Sequence, residues 1–387
     1  MGGTSDHELR IRVLRRREDF ESLRDAWRVL EGCSEDAGLF ASHEWLEAAL
    51  AWQGTDRDMY FLVGENNGAL VGALPLWRER RRWRGIAYRA LCHLTVPDTQ
   101  RNPLIALPGH KETFLVAALR ELCRLPAWEL IDVPLLAEQE AGQLAASSRQ
   151  AGISRVLRRP QAVDHLLHCR GGWEHFYGAK SRRFKKGVNN IANRVRKQFQ
   201  AVQVLHCTAD SDTEIEQLVN WLGYISARSW KRSTGLTLDQ VAPRRFIDRL
   251  SRHAARRGWL SVWLLFGDEK PVAMEYQLWS GSQVYALRSD YDQAFSEISP
   301  GSHLNVELLK HLFEVAAMEQ EITYHMGPGD NAYKKKWEND RQTLYRVQLF
   351  RPGLRGGLLY GLMARLAPAG RAISGWIRER QGDRNES

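Results

Sequence analysis

Two short stretches far apart in the chain read as the same hairpin. Tyr60–Val63, the turn Glu65-Asn66-Asn67-Gly68 and Ala69–Trp77 make one; Leu260–Phe266, the turn Gly267-Asp268-Glu269-Lys270 and Pro271–Trp279 make the other. Asn-Gly between two apolar runs is a strong hairpin signal, because the tight turns that match strand twist need positive φ at their centre. The two stretches align without gaps: Leu70 falls on Val272, Ala73 on Glu275, Leu76 on Leu278 and Trp77 on Trp279. Two hairpins of one design suggest a duplicated module. The length agrees, since 387 residues exceed what one ordinary core fills, and 43% hydrophobic with 26% charged residues describe a globular chain.

Helical and strand periods fill in the rest. Leu9–Leu14 alternates as a first strand, and Phe20, Leu23, Trp27 and Leu30 share a helical face. Ser42–Trp52 reads as a helix with Ser42 as N-cap, Thr113–Cys123 as another helix, and Glu129–Val133 as a buried strand. Phe184, Val188, Ile191, Val195 and Phe199 recur at helical spacing, which predicts one long basic amphipathic helix over 176–199. Three units follow: 1–160, 161–351 with the basic helix, and a basic amphipathic tail at 352–387.

Several chemistries lose their usual support. The five cysteines (Cys33, Cys92, Cys123, Cys169, Cys207) include no CxxC pair, so neither a disulfide framework nor a zinc site is expected, and they read as reduced, mostly buried thiols. No HExxH, P-loop or GxSxG pattern occurs, and metal independence is the expectation. No apolar run approaches the ~18 residues that span a bilayer, and Met1–Arg17 lacks the apolar stretch of a secretory signal. Cytoplasmic residence is expected, with a peripheral place at the inner face of the membrane as an option.

That option comes from charge. The net +9 is concentrated in Arg78–Arg84 and in Lys180–Lys197, either of which could meet an anionic partner or simply face solvent. Gly353–Arg380 sets Leu354, Leu358, Leu359, Leu362, Met363 and Leu366 among arginines, a pattern that fits either a helix lying on anionic lipid or one packed on the protein.

The stretch Asp290–Trp337 bears most directly on function. A strand ends in Asp290-Tyr291-Asp292; the turn Ser299-Pro300-Gly301-Ser302 opens a helix with Leu304, Leu308, Leu312 and Val315 on one face; a strand Ile322–Met326 and a loop 327–337 follow. A polar turn that opens a helix presents unpaired N–H groups and the positive end of the helix dipole, a receptor for phosphate. Pro at the first helical turn with Ser299 as an ordinary cap reads equally well.

This order of elements, with Gly327-Pro328-Gly329-Asp330 and Tyr333-Lys334-x-x-Trp337, resembles the second half of the CelD/BcsL-type acetyltransferase family of the GNAT superfamily, related to the FemABX peptidyltransferases. Phe40–Leu46, Gly72–Leu76 and Pro97-Asp98 with Asn102-Pro103-Leu104 extend the likeness into the first half, so that it covers roughly residues 10 to 350. The resemblance implies an α/β (α+β) fold of tandem GNAT-like acyltransferase modules, with mixed, mostly antiparallel sheets flanked by helices. It also implies transfer of an acyl group from acetyl-CoA or another acyl-CoA, or from aminoacyl-tRNA as in the Fem relatives. The turn departs from the family's [RQ]xxGx[GA] form, although Gly301 still permits close backbone approach.

On this reading Ser299, Pro300, Gly301 and Ser302 hold the co-substrate. The catalytic candidates are Lys334, Tyr333, Glu275 and Asp290: a carboxylate to take the acceptor's proton, a cation for the oxyanion and a phenol for the leaving thiolate. Glu275 among Val272, Ala273 and Met274 is either that base or an outward-facing strand residue, and Lys334 in Lys334-Lys335-Lys336 is either a substrate contact or part of a solvated loop. Asp98, Lys180 and Arg183 are the candidate acceptor contacts. The acceptor expected is an anionic small molecule or glycan precursor of the cell envelope or exopolysaccharide. The alternatives are a non-catalytic binding protein supporting polysaccharide synthesis and Fem-type peptidyl transfer, in which tRNA would be the one nucleic-acid partner.

Overall fold

The structure is a computed structural model, which describes residues 9–365 apart from 35–37, 56–57, 127, 210, 319 and 331. The tail expected over 352–387 therefore lies largely outside the described residues.

The first half runs β1 (Arg10–Leu14), α1 (Arg17–Glu21), α2 (Arg24–Cys33), α3 (His43–Gln53), β2 (Met59–Asn66), β3 (Ala69–Trp83), β4 (Ile86–His93), β5 (Ile105–Ala106), α4 (Lys111–Arg124), β6 (Leu130–Leu136), α5 (Glu138–Gln150) and β7 (Val156–Cys169). The second half runs α6 (Trp173–Gly178), α7 (Arg182–Gln198), β8 (Val202–Cys207), α8 (Asp212–Ala227), α9 (Val241–Arg256), β9 (Leu260–Gly267), β10 (Lys270–Ser280), β11 (Gln283–Tyr291), α10 (Pro300–Met318), β12 (Ile322–Pro328), α11 (Ala332–Trp337) and β13 (Asp340–Phe350). A last helix, α12, covers residues 354–365.

The strands form one 13-stranded sheet in the order β1-β2-β3-β4-β6-β13-β7-β12-β11-β10-β9-β8, with β5 beside β3. Read from its two edges the sheet is a palindrome: β1 corresponds to β8, β2-β3 to β9-β10, β4 to β11 and β6 to β12. Among the described residues the only parallel neighbours are β4·β6 and β11·β12, one pair in each half. The duplication that the repeated hairpins suggested is present, in the tandem, mostly antiparallel GNAT-like architecture that the family resemblance implies. The turns behave alike too, with positive φ at Asn67 and Gly68 in one hairpin and at Asp268 and Glu269 in the other.

The halves meet by exchanging strands. β7, the last strand of the first half, lies against β12 of the second, while β13 inserts beside β6 of the first, and β7 and β13 pair with each other along ten registered positions from Asp340↔Leu166 to Leu349↔Val156. The residue pair 160/161, where the sequence suggested a boundary, falls inside β7. On one face α3 packs on α9 in a core shared by both halves, with Trp45 against Phe246 at 5.4 Å. On the other face α4 and α5 cover the first half, and α10, with Leu304, Leu308 and Leu312 inward, covers the second.

Local signals mostly hold. Ser42 caps α3, its hydroxyl accepting from the Trp45 amide at 3.1 Å. The expected single helix over 176–199 is instead two, α6 and α7. Gly178 ends the first, and the Ser181 hydroxyl caps the second by accepting from the Phe184 amide at 3.2 Å. The expected loop at 332–337 is the short helix α11. Cys92 and Cys169 are buried, while Cys33 is exposed.

Candidate functional site

The basic helix builds a large cavity. α7 stands off the sheet with Val195 alone fully buried, and between it, α6, α10 and α11 lies a cavity of about 770 Å³. Trp173, Tyr177, Phe184, Tyr333 and Trp337 make its aromatic wall; Trp173 stacks on Tyr177 at 5.0 Å and Phe184 meets Trp337 edge-on at 4.9 Å. Arg183, Arg196 and Lys336 supply charge, and none of them forms a salt bridge among the described residues. Lys310 also lines the cavity but is paired with Glu307 at 3.0 Å.

The turn expected to hold phosphate reaches this cavity at its end, through Ser302 and His303. Its amides are partly engaged: Ser302 and His303 both donate to the Ser299 carbonyl, at 3.1 and 3.2 Å, and Pro300 has no N–H. Ser299 sits in the left-handed region, φ 54, and acts through its carbonyl, not as an ordinary side-chain cap. The turn therefore presents fewer free amides than a glycine-rich one, and the cavity's positive character comes mainly from side chains. Burial pulls the His303 imidazole down, with Arg196 and Lys310 adding to the shift.

Glu275 is not outward-facing. It pairs with Ser289 across β10 and β11, is 5% exposed, and lies under α10. Its carboxylate accepts from Gln277 at 2.8 Å, from Ser289 at 2.9 Å and from the Tyr324 hydroxyl. Burial pushes the Glu275 carboxyl up, against the pull of these donors. Tyr333 joins this cluster to the cavity: it lines the cavity, and burial together with the Glu275 charge holds its phenol well above the usual range.

Asp290 is on the other face of the sheet, since its register partner is Met274 and not Glu275. It pairs with Lys231 at 2.6 Å and accepts from Ser226 at 2.9 Å, so the structure does not bring it together with Glu275. Asp98 is also engaged, in a buried bidentate pair with Arg288 at 2.9 to 3.2 Å that ties the two halves together. Lys180 donates to the Lys336 carbonyl at 2.9 Å and lies over the Phe176 ring at 4.4 Å, and burial lowers its ammonium. Of the three expected acceptor contacts, only Arg183 lines the cavity.

Lys334 is half-buried and fixes the loop before it. Its ammonium donates to the carbonyls of Gly327 at 2.8 Å, Gly329 at 3.3 Å and Pro328 at 3.4 Å. Burial lowers its pKa while Asp164 and Asp330 oppose the change. Lys335 pairs with Asp330 at 2.9 Å, so the lysine run is not a uniformly solvated one.

Sequence reasoning did not single out Arg196, His303, Trp173, Tyr177 or Tyr324. The helical period of α7 placed Arg183 and Arg196 on its polar side, but which side faced α10 was not legible. A second, smaller cavity of about 390 Å³ lies where β4 and β6 part, lined by Arg81, His93, Asp132 and Arg346 among others. Burial pulls His93 down to about 4, and its Nε2 has no hydrogen-bond partner among the described residues.

Residues 183–335 match the acetyltransferase (GNAT) domain family. That segment runs from Arg183 on one wall of the cavity to Tyr333 on the other. No curated protein sequence matches the chain. Among solved structures, FemX superposes with a TM-score of 0.55 at 11% identity, over 88% of this chain and 98% of its own. A C-terminal domain described as a lysylphosphatidylglycerol synthetase, from Agrobacterium fabrum, gives 0.54 at 11% identity over 89% and 96%. L-PGS from Bacillus licheniformis gives 0.54 at 10% over 88% and 95%. At such identities the likeness is one of fold.

Proposed function

We propose that the protein is a GNAT-type acyltransferase that moves an acyl group, acetyl in the simplest case, from acyl-CoA to an amine or hydroxyl. The carrying observation is the cavity of about 770 Å³ between α7 and α10, which joins an aromatic wall to Arg183, Arg196 and Lys336, without salt bridges among the described residues, beside the start of α10. A coenzyme A thioester offers the complementary chemistry: a purine to stack, phosphates for Arg183, Arg196 and Lys336, and a flexible arm to reach Tyr333. The acceptor attacks the thioester carbonyl, the carbon–sulfur bond breaks, and the proton lost by the acceptor ends on the leaving thiolate. Tyr333 gives its phenolic proton to the thiolate and is reprotonated by the proton that the acceptor loses. Lys334 is a positioning residue that acts through the carbonyls of Gly327 to Gly329. A CelD/BcsL-type acceptor, a cell-envelope or exopolysaccharide precursor, belongs to the same reading.

Isothermal titration with acetyl-CoA and longer acyl-CoAs tests it. Arg183→Glu with Arg196→Glu weakens binding at least about tenfold, and Tyr333→Phe lowers kcat while leaving KM in place. A folded wild-type protein that binds no thioester ends the reading.

One observation favours a non-catalytic binding role instead. The gap where β11 and β12 part, a natural slot for an extended arm, is bridged by Gln100, whose amide donates to the Ala286 carbonyl at 2.6 Å. Thioester binding without turnover, across a range of amine and hydroxyl acceptors, selects that alternative.

A further inference from the structure

The acyl-transfer reading leaves two features unused, the arginine run and α12, and the fold sets them side by side. Helix α12 buries Leu359 and Met363 against Phe350 and Ala90 and turns its other leucines outward: Leu354 is 94% exposed and Leu358 60%. The β3–β4 hairpin ends in the tight turn Arg84-Gly85, with φ of 47 and 85, and presents Ile86 beside that turn, 40% exposed. A groove of about 470 Å³ runs between the hairpin and the helix, with Arg80, Ile86, Tyr88, Arg355, Leu358 and Leu362 on its walls. Arg80 and Arg82, whose register partners are Arg89 and Ala87, point to the side of the hairpin away from Ile86, whose partner is Trp83, so the free edge of the hairpin carries cations on one side and Ile86 on the other; neither arginine nor Arg355 forms a salt bridge among the described residues.

An exposed apolar strip rimmed by an excess of arginines, with Glu129 at the groove engaged by Arg89 at 2.6 Å, selects its partner by chemistry. A second copy of this chain would oppose like-charged rims, and an RNA backbone would leave the leucines without a partner. The surface of an anionic bilayer satisfies both elements, since leucines enter the boundary of headgroups and acyl chains while guanidinium groups meet lipid phosphates. The sequence beyond residue 365 continues in the same chemistry, with Arg371, Trp376, Ile377 and Arg378.

We propose that this edge, where the β3–β4 hairpin and α12 flank the groove, docks the protein on an anionic lipid surface, with Leu354, Leu358 and Ile86 inserted and Arg80, Arg82, Arg84 and Arg355 on the phosphates. The proposal is one of peripheral contact, since no helix among the described residues is long and apolar enough to cross a membrane. It stands apart from the acyl-transfer reading.

Co-sedimentation of the full chain with vesicles tests it, using phosphatidylcholine alone and phosphatidylcholine mixed with phosphatidylglycerol. The wild type partitions onto the mixed vesicles and at least about tenfold less onto the neutral ones, with binding that falls as salt rises. Leu354→Glu with Leu358→Glu lowers partitioning about tenfold or more, and Arg80→Glu with Arg82→Glu lowers it and flattens the salt dependence. All four positions are exposed and lie outside the cavity, so circular dichroism and acyl-CoA titration should match the wild type and serve as controls. Failure of the wild type to bind mixed vesicles, or binding unchanged by the leucine pair, overturns the proposal. So does a preference for RNA over vesicles that the leucine variants leave intact.

Discussion

The two halves repeat one design and put the same junction to different uses. In the second half β11 leads through a short 3-10 turn into α10, whose first residues open on the large cavity. In the first half the stretch between β4 and α4 is long, and it reaches across the molecule: Asp98 clamps Arg288, Gln100 bridges to Ala286, and Arg101 pairs with Asp164 at 3.3 Å. One copy keeps a helix start beside a ligand-sized space, while the other has become a brace between the halves. Duplication allows this because one junction can take on a structural task without removing the site from the molecule.

Breaking the brace is the harshest test of that contrast. Asp98→Ala leaves Arg288, 3% exposed, without its partner, and the expected loss is about 3–5 kcal/mol in urea unfolding. Asp98→Leu combined with Arg288→Met should recover most of it, because replacing both ions removes the uncompensated charge. If Asp98→Ala unfolds like the wild type, the stretch is an ordinary surface loop and the comparison fails.

The seam between α2, α3 and α9 offers a test by pH. Burial pushes the Glu31 carboxyl up to about 7, with Glu44 adding to the shift and the His43 amide and Arg257 opposing it. A folded-state value above the unfolded 4.5 means the contribution is fully present below pH 4.5 and is lost as pH rises towards 7. The loss should be on the order of 3 kcal/mol at most, and Glu31→Gln should remove that slope from denaturation midpoints measured across the window.

Gly327→Ala sharpens the view of the Gln100 plug. Gly327 has φ 79, and a Cβ there would come within 3.0 Å of the Gln100 amide nitrogen, so both strain and crowding apply. The expected cost is about 2 kcal/mol in thermal unfolding. Mildest is Lys334→Ala, which removes donors to the carbonyls at 327–329 and should cost about 1 kcal/mol. Its larger signature under the proposed function is a fall in kcat with KM little changed.

Much of the local structure was legible. The hairpin turns at Asn67-Gly68 and Asp268-Glu269, the Ser42 cap and the leucine face of α10 depend on residues within a turn or two of one another, and the sequence displays those directly. The fate of the acidic residues was less so. Glu275 reads as either inward or outward until Tyr324 and Ser289 are known to converge on it, and Asp98 reads as a free carboxylate until Arg288, far along the chain, meets it. The break at Ser181 was missed because the hydrophobic period continues across it, while a single cap is enough to start a new helix.

By itself the sequence determined the repeated elements and their order, because periodicity, turn residues and caps are properties of neighbouring residues, and the GNAT-like fold class followed from the family resemblance that this order carries. Only the tertiary structure decided that β7 and β13 cross over to make one sheet, that Asp290 and Glu275 face opposite sides of it, and that of the basic residues only some are free to meet a ligand. Those outcomes rest on strand pairing and on the requirement that buried charges find partners, and the partners come from parts of the chain that local pattern does not connect.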